Sequence, residues 1–263
     1  MSEYIKVCEE TTRAAGGLIL EKMGRVAVRE KGRHDLVTEA DVAAQDLVRT
    51  RLQEAFPGHS LLGEEDGPPA ARGGPSEFRW IVDPIDGTTN YAHQVPYFCV
   101  SLALERMGEL LVGAIYDPVA EECYTAAAGE GAFLNGRPIH ASGTTRLSDA
   151  LATVGFPAVP SPDSPDVRLF LRALGRCQAL RRMGSVALNL AYLAAGRFDA
   201  SWSFCTNAWD IAAGALLVRE AGGTITSPGG EGLSVDGGIF VAAATAQLHA
   251  EVRALMKQAE LAL

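Results

Sequence analysis

The stretch Trp80-Ile81-Val82-Asp83-Pro84-Ile85-Asp86-Gly87-Thr88-Thr89-Asn90 sets an apolar run directly against a pair of acids. Trp80 to Val82 predicts a short buried strand. Pro84 fixes φ and removes a backbone donor, so the chain is expected to leave the sheet there, with Asp83 delivered at the strand's end. Asp86 follows three residues later, and a single turn would bring it to the same side as Asp83. Gly87 permits close backbone approach, and a helix starting here would turn the amides of Gly87 and Thr88 toward an anion.

Two carboxylates about 4 Å apart repel by about 4 kcal/mol at an effective dielectric near 20. A shared proton or a cation must offset that cost. Magnesium takes oxygen ligands at about 2.0–2.1 Å and usually keeps water and substrate phosphate in its shell. The competing reading is a tight turn with self-capping side chains. Acids placed directly after an apolar strand favour the metal, because unpaired charge is costly there.

Other acids have two readings each. Glu64 or Glu65, after Leu61-Leu62-Gly63, is placed to add a carboxylate, and spacing does not choose between them; a Glu-Glu-Asp run is also an ordinary solvated surface. Asp210, after Trp209, opens a helix and suits the positive end of its dipole whether or not it does anything else. Thr38-Glu39-Ala40-Asp41 has the form of a capping box, and Asp41 either completes that box or orients a hydroxyl such as that of Thr88 to polarise water.

Working outward, helices are expected from about Glu3 to Met23, from Thr38 to a stop at Pro57-Gly58, from Asp166 to Leu174, from Ser185 to Ala195, from Trp209 to Ala221 and from Thr245 onward. Strands are expected over Phe98 to Leu104, Leu110 to Tyr116, Glu122 to Thr125, Phe198 to Ser201 and Gly238 to Ala243, with a hairpin at Asn135-Gly136. Gly67 to Ser76 reads as an exposed loop, and Ser161-Pro162-Asp163-Ser164-Pro165 as a connector. The boundary drawn is residues 1–150 for an N-terminal half carrying most of the acids and 151–263 for a C-terminal half carrying Asp210, the two forming one catalytic unit. Strands come in groups without regular helix alternation, which favours an α+β layered sandwich over a doubly wound sheet.

The chain has 263 residues, 48% of them hydrophobic and 21% charged, which is ordinary for a folded globular protein. A net charge of -9 argues against nucleic acid or anionic membrane as a partner. No run approaches the roughly 20 apolar residues that span a bilayer, and Met1 to Lys6 lacks a secretory pattern, so a cytoplasmic location is expected. The five cysteines, Cys8, Cys99, Cys123, Cys177 and Cys205, are scattered, which speaks against a disulfide or zinc framework, and most read as small core residues. His34, His59, His93, His140 and His249 show no metal-ligand spacing, and Lys31 reads as surface. Ser185 lacks a nearby base and a nucleophile elbow, and no Walker-type loop is present.

Taken together, Asp35-Leu36-Val37-Thr38 with Asp41, Gly63-Glu64-Glu65, the Trp80 to Asn90 stretch, and Trp209-Asp210-Ile211-Ala212-Ala213-Gly214 closed by Gly222-Gly223 resemble the inositol monophosphatase superfamily over essentially the whole chain. The resemblance implies an α-β-α-β-α sandwich of the inositol monophosphatase and fructose-1,6-bisphosphatase type, a homodimer, and two or three magnesium ions, one of which lithium replaces with inhibition. It implies that Glu64, Asp83 and the carbonyl of Ile85 hold one ion, that Asp83, Asp86 and Asp210 hold a second, and that a third, weaker ion leans on the catalytic Glu64. Thr88 with Asp41 would activate water, and Asp86, Gly87 and Thr88 would surround the phosphate. Gly184, Ser185, Val186 and Asp210 would meet the leaving group. Inositol-specific members usually carry an acid seven positions before that last aspartate; here the position is Ser203, which puts inositol specificity in question. The implied substrate is a small phosphate ester: inositol monophosphate or a related sugar, polyol or amino-alcohol phosphate such as histidinol phosphate. Alternatives are a nucleotide phosphatase for adenosine 3′,5′-bisphosphate or NADP, and a regulatory or binding protein that keeps the fold. Arg181 and Arg182 read equally as substrate contacts or as surface cations.

Overall fold

The computed structural model describes residues 2–25, 28–32, 35–66 and 76–260. His34 and the expected loop up to residue 75 lie outside the described residues, as does the side chain of Lys31. Helix α1 (Ser2–Lys22) turns Cys8, Ala15 and Ile19 inward. An antiparallel pair, β1 (Val28–Gly32) with β2 (Asp35–Thr38), leads into α2 (Glu39–Ala55). The capping box read from the sequence forms at its start: Ala40 N donates to Thr38 Oγ1 at 3.1 Å, and Thr38 N donates to Asp41 Oδ2 at 2.7 Å.

A seven-stranded sheet follows, with β3 (Ser60–Gly63), β4 (Phe78–Asp86), β5 (Cys99–Arg106), β6 (Glu109–Asp117), β7 (Glu122–Ala127), β8 (Gly131–Leu134) and β9 (Arg137–Ile139) side by side in that order. Only β3 and β4 run parallel. Asn135 and Gly136, both at positive φ, make the tight turn between β8 and β9.

Pro84 does not end its strand. β4 continues to Asp86, because β3 pairs with it only as far as Val82 and the missing Pro84 amide meets an unpaired edge. Asp83 lies across from Ser101 and Asp86 across from Cys99, so three steps along β4 match two along β5. In a regular strand, residues three apart point to opposite faces; the extra residue of this bulge returns Asp86 to the face of Asp83. A strand irregularity, rather than the turn expected above, therefore gathers the two acids.

Helix α3 (Thr88–Ala92) follows β4 directly. A second sheet comprises β10 (Leu151–Val154), β11 (Ala179–Arg181), β12 (Ala200–Ser203), β13 (Thr224–Thr226) and β14 (Phe240–Ala243), in the spatial order β11-β10-β12-β14-β13. It is interleaved in sequence with α4 (Pro165–Ala173), α5 (Val186–Ala194), α6 (Ala208–Glu220) and α7 (Ala246–Glu260).

Side-chain alternation assigns the layers. Trp80 and Val82 face the core under α1 and α2, while Ile81 faces the core that holds α5 and α6. Phe240 and Ala242 of β14 join that same α5–α6 core, and Val241 and Ala243 face a third core with Leu248 and Val252 of α7. The order is α1/α2, large sheet, α5/α6, small sheet, α4/α7: the α-β-α-β-α sandwich. Among the described residues, no helix is long and apolar enough to cross a membrane.

Candidate active site

The bulge of β4 supplies the first two carboxylates. Asp83 is buried, and its Oδ1 accepts from Ile85 N at 3.0 Å. Asp86 reaches the start of α5: its Oδ2 accepts from Ser185 Oγ at 2.7 Å and from Ala187 N at 2.5 Å. Ser185 is the N-cap of that helix, also accepting from Leu188 N at 3.2 Å. Its hydroxyl thus holds a carboxylate, and Ser185 serves as a positioning group.

Asp210 comes from the first turn of α6, where its Oδ2 accepts from Asn207 N at 2.7 Å. That satisfies the N-terminal role read from sequence, and the same carboxyl also hydrogen-bonds the Asp83 side chain. Glu64 opens a single 3-10 turn, Glu64–Asp66, after β3. Its charge acts on Asp83 and on Asp210.

The electrostatics follow from this convergence. Burial first, then the charges of Glu64, Asp86, Asp210 and Asp41, hold the Asp83 carboxyl well above the ordinary range. Asp210 is raised likewise, by burial and by Asp86. Asp86 is pushed up only to about 6: burial raises it, while the Ser185 hydroxyl and the amides of Val186 to Leu188 favour its charged form. The helix α5 N-terminus thus keeps one member of the cluster closer to ionised than its neighbours.

Two buried carboxyls that hydrogen-bond each other need a proton between them, and a cation performs the same neutralisation. The donors are all hard oxygens, which fits magnesium. Among the described residues, no three His, Cys, Asp or Glu side chains are drawn close enough to form a closed metal cage. The carboxylates stand instead within electrostatic reach of one another.

Thr88, at the start of α3, has its Oγ1 3.0 Å from Ile85 O and 3.4 Å from Asp41 Oδ1. Asp41 is buried, and its Oδ2 accepts from both Thr38 N and Thr38 Oγ1 at 2.7 Å. Asp41 therefore completes the capping box with one oxygen and turns the other toward Thr88.

Gly87 caps α3 at φ 100°, and a Cβ there would come within 3.1 Å of Tyr97 O and 3.3 Å of Gly184 O. Only glycine suits that conformation and that approach. Asn90 locks the same juncture by donating from Nδ2 to Tyr97 O at 2.7 Å and to Met183 O at 2.8 Å.

A cleft of about 300 Å³ opens beside the cluster, lined by Asp86 and Asp210, by Gly184, Ser185 and Val186, and by Asn90, Phe156, Arg182 and Cys205. Ser203 does not line it. That residue is fully buried in β12, and its Oγ accepts from Cys205 N at 3.2 Å, so Cys205 presents itself to the cleft instead. Cys8, Cys99 and Cys123 are buried, as expected of most of the cysteines, whereas Cys205 is exposed. Sequence reasoning missed the Asn90 clamp and the Phe156 wall. His93 caps α3 on the exposed surface and stands outside the cleft.

Residues 1–261 match the Inositol monophosphatase family. The chain belongs to the inositol monophosphatase family. It is 40% identical over 260 residues to an inositol-1-monophosphatase of Mesorhizobium japonicum, covering 97% of each chain. It is also 40% identical over 251 residues to a Pseudomonas aeruginosa protein named Nus factor SuhB, covering 93% of each. The crystal structure of an IMPase/NADP phosphatase complexed with Mg2+ and phosphate superposes with a TM-score of 0.81 at 27% identity, over 92% of this chain and 90% of the other. Membership in this family supports phosphatase chemistry for the cleft.

Proposed function

We propose that the chain is a magnesium-dependent phosphomonoesterase acting on a small phosphate ester, inositol monophosphate or a related sugar, polyol or amino-alcohol phosphate. The observation that carries this reading is the convergence of Glu64, Asp83, Asp86 and Asp210, from three separate parts of the chain, beside a cleft that Asp86 and Asp210 line. Glu64, Asp83 and the Ile85 carbonyl would hold one ion, Asp83, Asp86 and Asp210 a second, and Glu64 would also support a third. When bound, magnesium neutralises phosphate charge and makes water at the site more acidic.

The protein's own groups supply the rest. The Thr88 hydroxyl has one hydrogen; given to Asp41, it leaves the oxygen free to accept a proton from the attacking water. The first amides of α3, those of Gly87 and Thr88, are left over by the helix's own bonding and suit a phosphate oxygen. Water attacks phosphorus directly, the ester P–O bond breaks, and the departing alkoxide takes up a proton from solvent water as the alcohol leaves past Val186 and Asp210.

The test is phosphate release from inositol 1-phosphate over a magnesium titration. Glu64→Gln and Asp210→Asn should each lower turnover by about 100-fold and raise the magnesium needed; wild-type turnover by either would overturn the assignment. Lithium should inhibit the native protein.

The similarity to an IMPase/NADP phosphatase favours testing adenosine 3′,5′-bisphosphate and NADP beside inositol phosphate. The relative named Nus factor SuhB favours a regulatory or binding role as the second reading. Asp86→Asn separates the two, since a binding role survives the loss of hydrolysis. A homodimer is the assembly that this reading carries, to be checked by light scattering.

A further inference from the structure

Arg182 is the one cationic side chain on the cleft wall among the described residues. It enters no ion pair with the acids that share that wall, and its guanidinium lies 5.5 Å from the centroid of the Phe156 ring. Phe156 is itself braced edge-on by Phe170, with centroids 5.6 Å apart. Arg182 is exposed, and contact through the ring face leaves the guanidinium's hydrogen-bonding edge uncommitted.

The backbone that carries it is equally fixed. Asn90, on the helix that directly follows Asp86 and Gly87, binds the carbonyl of Met183, the next residue, and also that of Tyr97. Arg182 thus stands at a set offset from the phosphate-binding end of the cleft, along a wall that also includes Val154, Val186 and Cys205.

A neutral polyol uses a guanidinium only as a hydrogen-bond donor. A phosphate or carboxylate uses both its charge and its two-pronged geometry. We propose that Arg182 is a specificity-determining residue that binds a second anionic group on the leaving portion of the substrate, so that the cleft prefers doubly anionic esters over simple monoesters. This rests on the phosphatase reading above and narrows its substrate class.

Fructose 1,6-bisphosphate and fructose 1-phosphate differ only in a second phosphate; 2-phosphoglycerate and glycerol 2-phosphate differ in a carboxylate. With the full-length protein and saturating magnesium, the quantity to measure is the ratio of kcat/KM within each pair. Arg182→Gln should lower the ratio in the phosphate pair by about tenfold, chiefly through KM, as expected for losing one charge-assisted pair. Arg182→Lys should lower it less, since the charge stays and the fork is lost. A parallel fall in the carboxylate pair means that the subsite takes either anion; a fall in the phosphate pair alone means that it selects phosphate. Arg181→Gln is the control, because that side chain does not line the cleft and donates to Leu180 O. An unchanged ratio in Arg182→Gln, or an equal change in Arg181→Gln, overturns the subsite while leaving the phosphatase reading intact. Hydrolysis of inositol 1-phosphate but of none of the four overturns the subsite alone, and failure on all five overturns both.

Discussion

At the scale of single residues, the cleft depends on side chains that bind backbone rather than substrate. Asn90 spends its amide on two carbonyls, Tyr97 O and Met183 O, that would otherwise be half-buried acceptors without donors. Asn90→Ala should destabilise the fold by about 1–3 kcal/mol, which lowers Tm by about 2–4 °C per kcal/mol in a chain of this size. Turnover should fall too, because the segment carrying Ser185 loosens and Asp86 loses its fixed partner. Thermal unfolding together with phosphate release checks this; native values for both would remove the clamp from the account. Much of the site was legible at this scale because its acids lie in short contiguous signatures. Asp83, Asp86, Thr88 and Asn90 sit within one run of eleven residues. What stayed hidden was pairing across distance. The hydroxyl of Ser185 meets Asp86 across 99 positions, and nothing near Ser185 in sequence beyond its N-cap context marks it as a partner. Nor does the alternation along β12, which buries Ser203, say that Cys205 will turn outward just past the strand.

At the scale of elements, long periodic segments and punctuated helix starts were readable, whereas short strands were not. The capping residues of α2 and the apolar run of α5 announce those helices, and the Asn135-Gly136 turn announces its hairpin. Strands β10, β11 and β13 span only three or four residues and are placed by their neighbours, so their own sequence carries little period. The β4 bulge is likewise invisible in sequence, because it is a mismatch between two strands rather than a property of one. Helix α6 brings Asp210 to the cluster, and its docking depends on Gly113 of β6. A Cβ at 113 would stand 3.0 Å from Ala213 Cα and 3.3 Å from Ala213 O. Backbone atoms cannot swing aside as a side chain does, so Gly113→Ala must shift α6 from the sheet by a few tenths of an ångström. The expected cost is about 1–3 kcal/mol of stability. Turnover should fall as well, although residue 113 touches no part of the cleft, because Asp210 moves with its helix. Native Tm and native turnover in this variant would mean that α6 is not held by that contact.

At the scale of the whole molecule, the acids are concentrated where three layers meet, under cores that exclude water, in a chain already carrying a net charge of -9. Folding therefore works against their ionisation. The Asp86 carboxyl is raised to about 6 from 3.8, and Asp83 and Asp210 are raised also, chiefly by burial. The sign is fixed by proton counting. Between the unfolded and folded pKa values the folded state binds more protons, so stability falls as pH rises through that window. For Asp86 alone the window runs from about pH 4 to about pH 6, and the full difference is on the order of 3 kcal/mol. A divalent cation competes with those protons and binds best where they are absent. The protein in EDTA should thus lose stability between about pH 4 and about pH 6 through Asp86, and magnesium should restore it. The gap in Tm between magnesium and EDTA should widen over that range, and Asp86→Asn, which removes one ionisable carboxyl without removing its volume, should flatten both the loss and the recovery. Differential scanning fluorimetry at the two pH values, with and without magnesium, reads all three. A gap of equal size at both pH values would show that the buried acids take up no cation in exchange for their protons, and that their convergence serves packing alone.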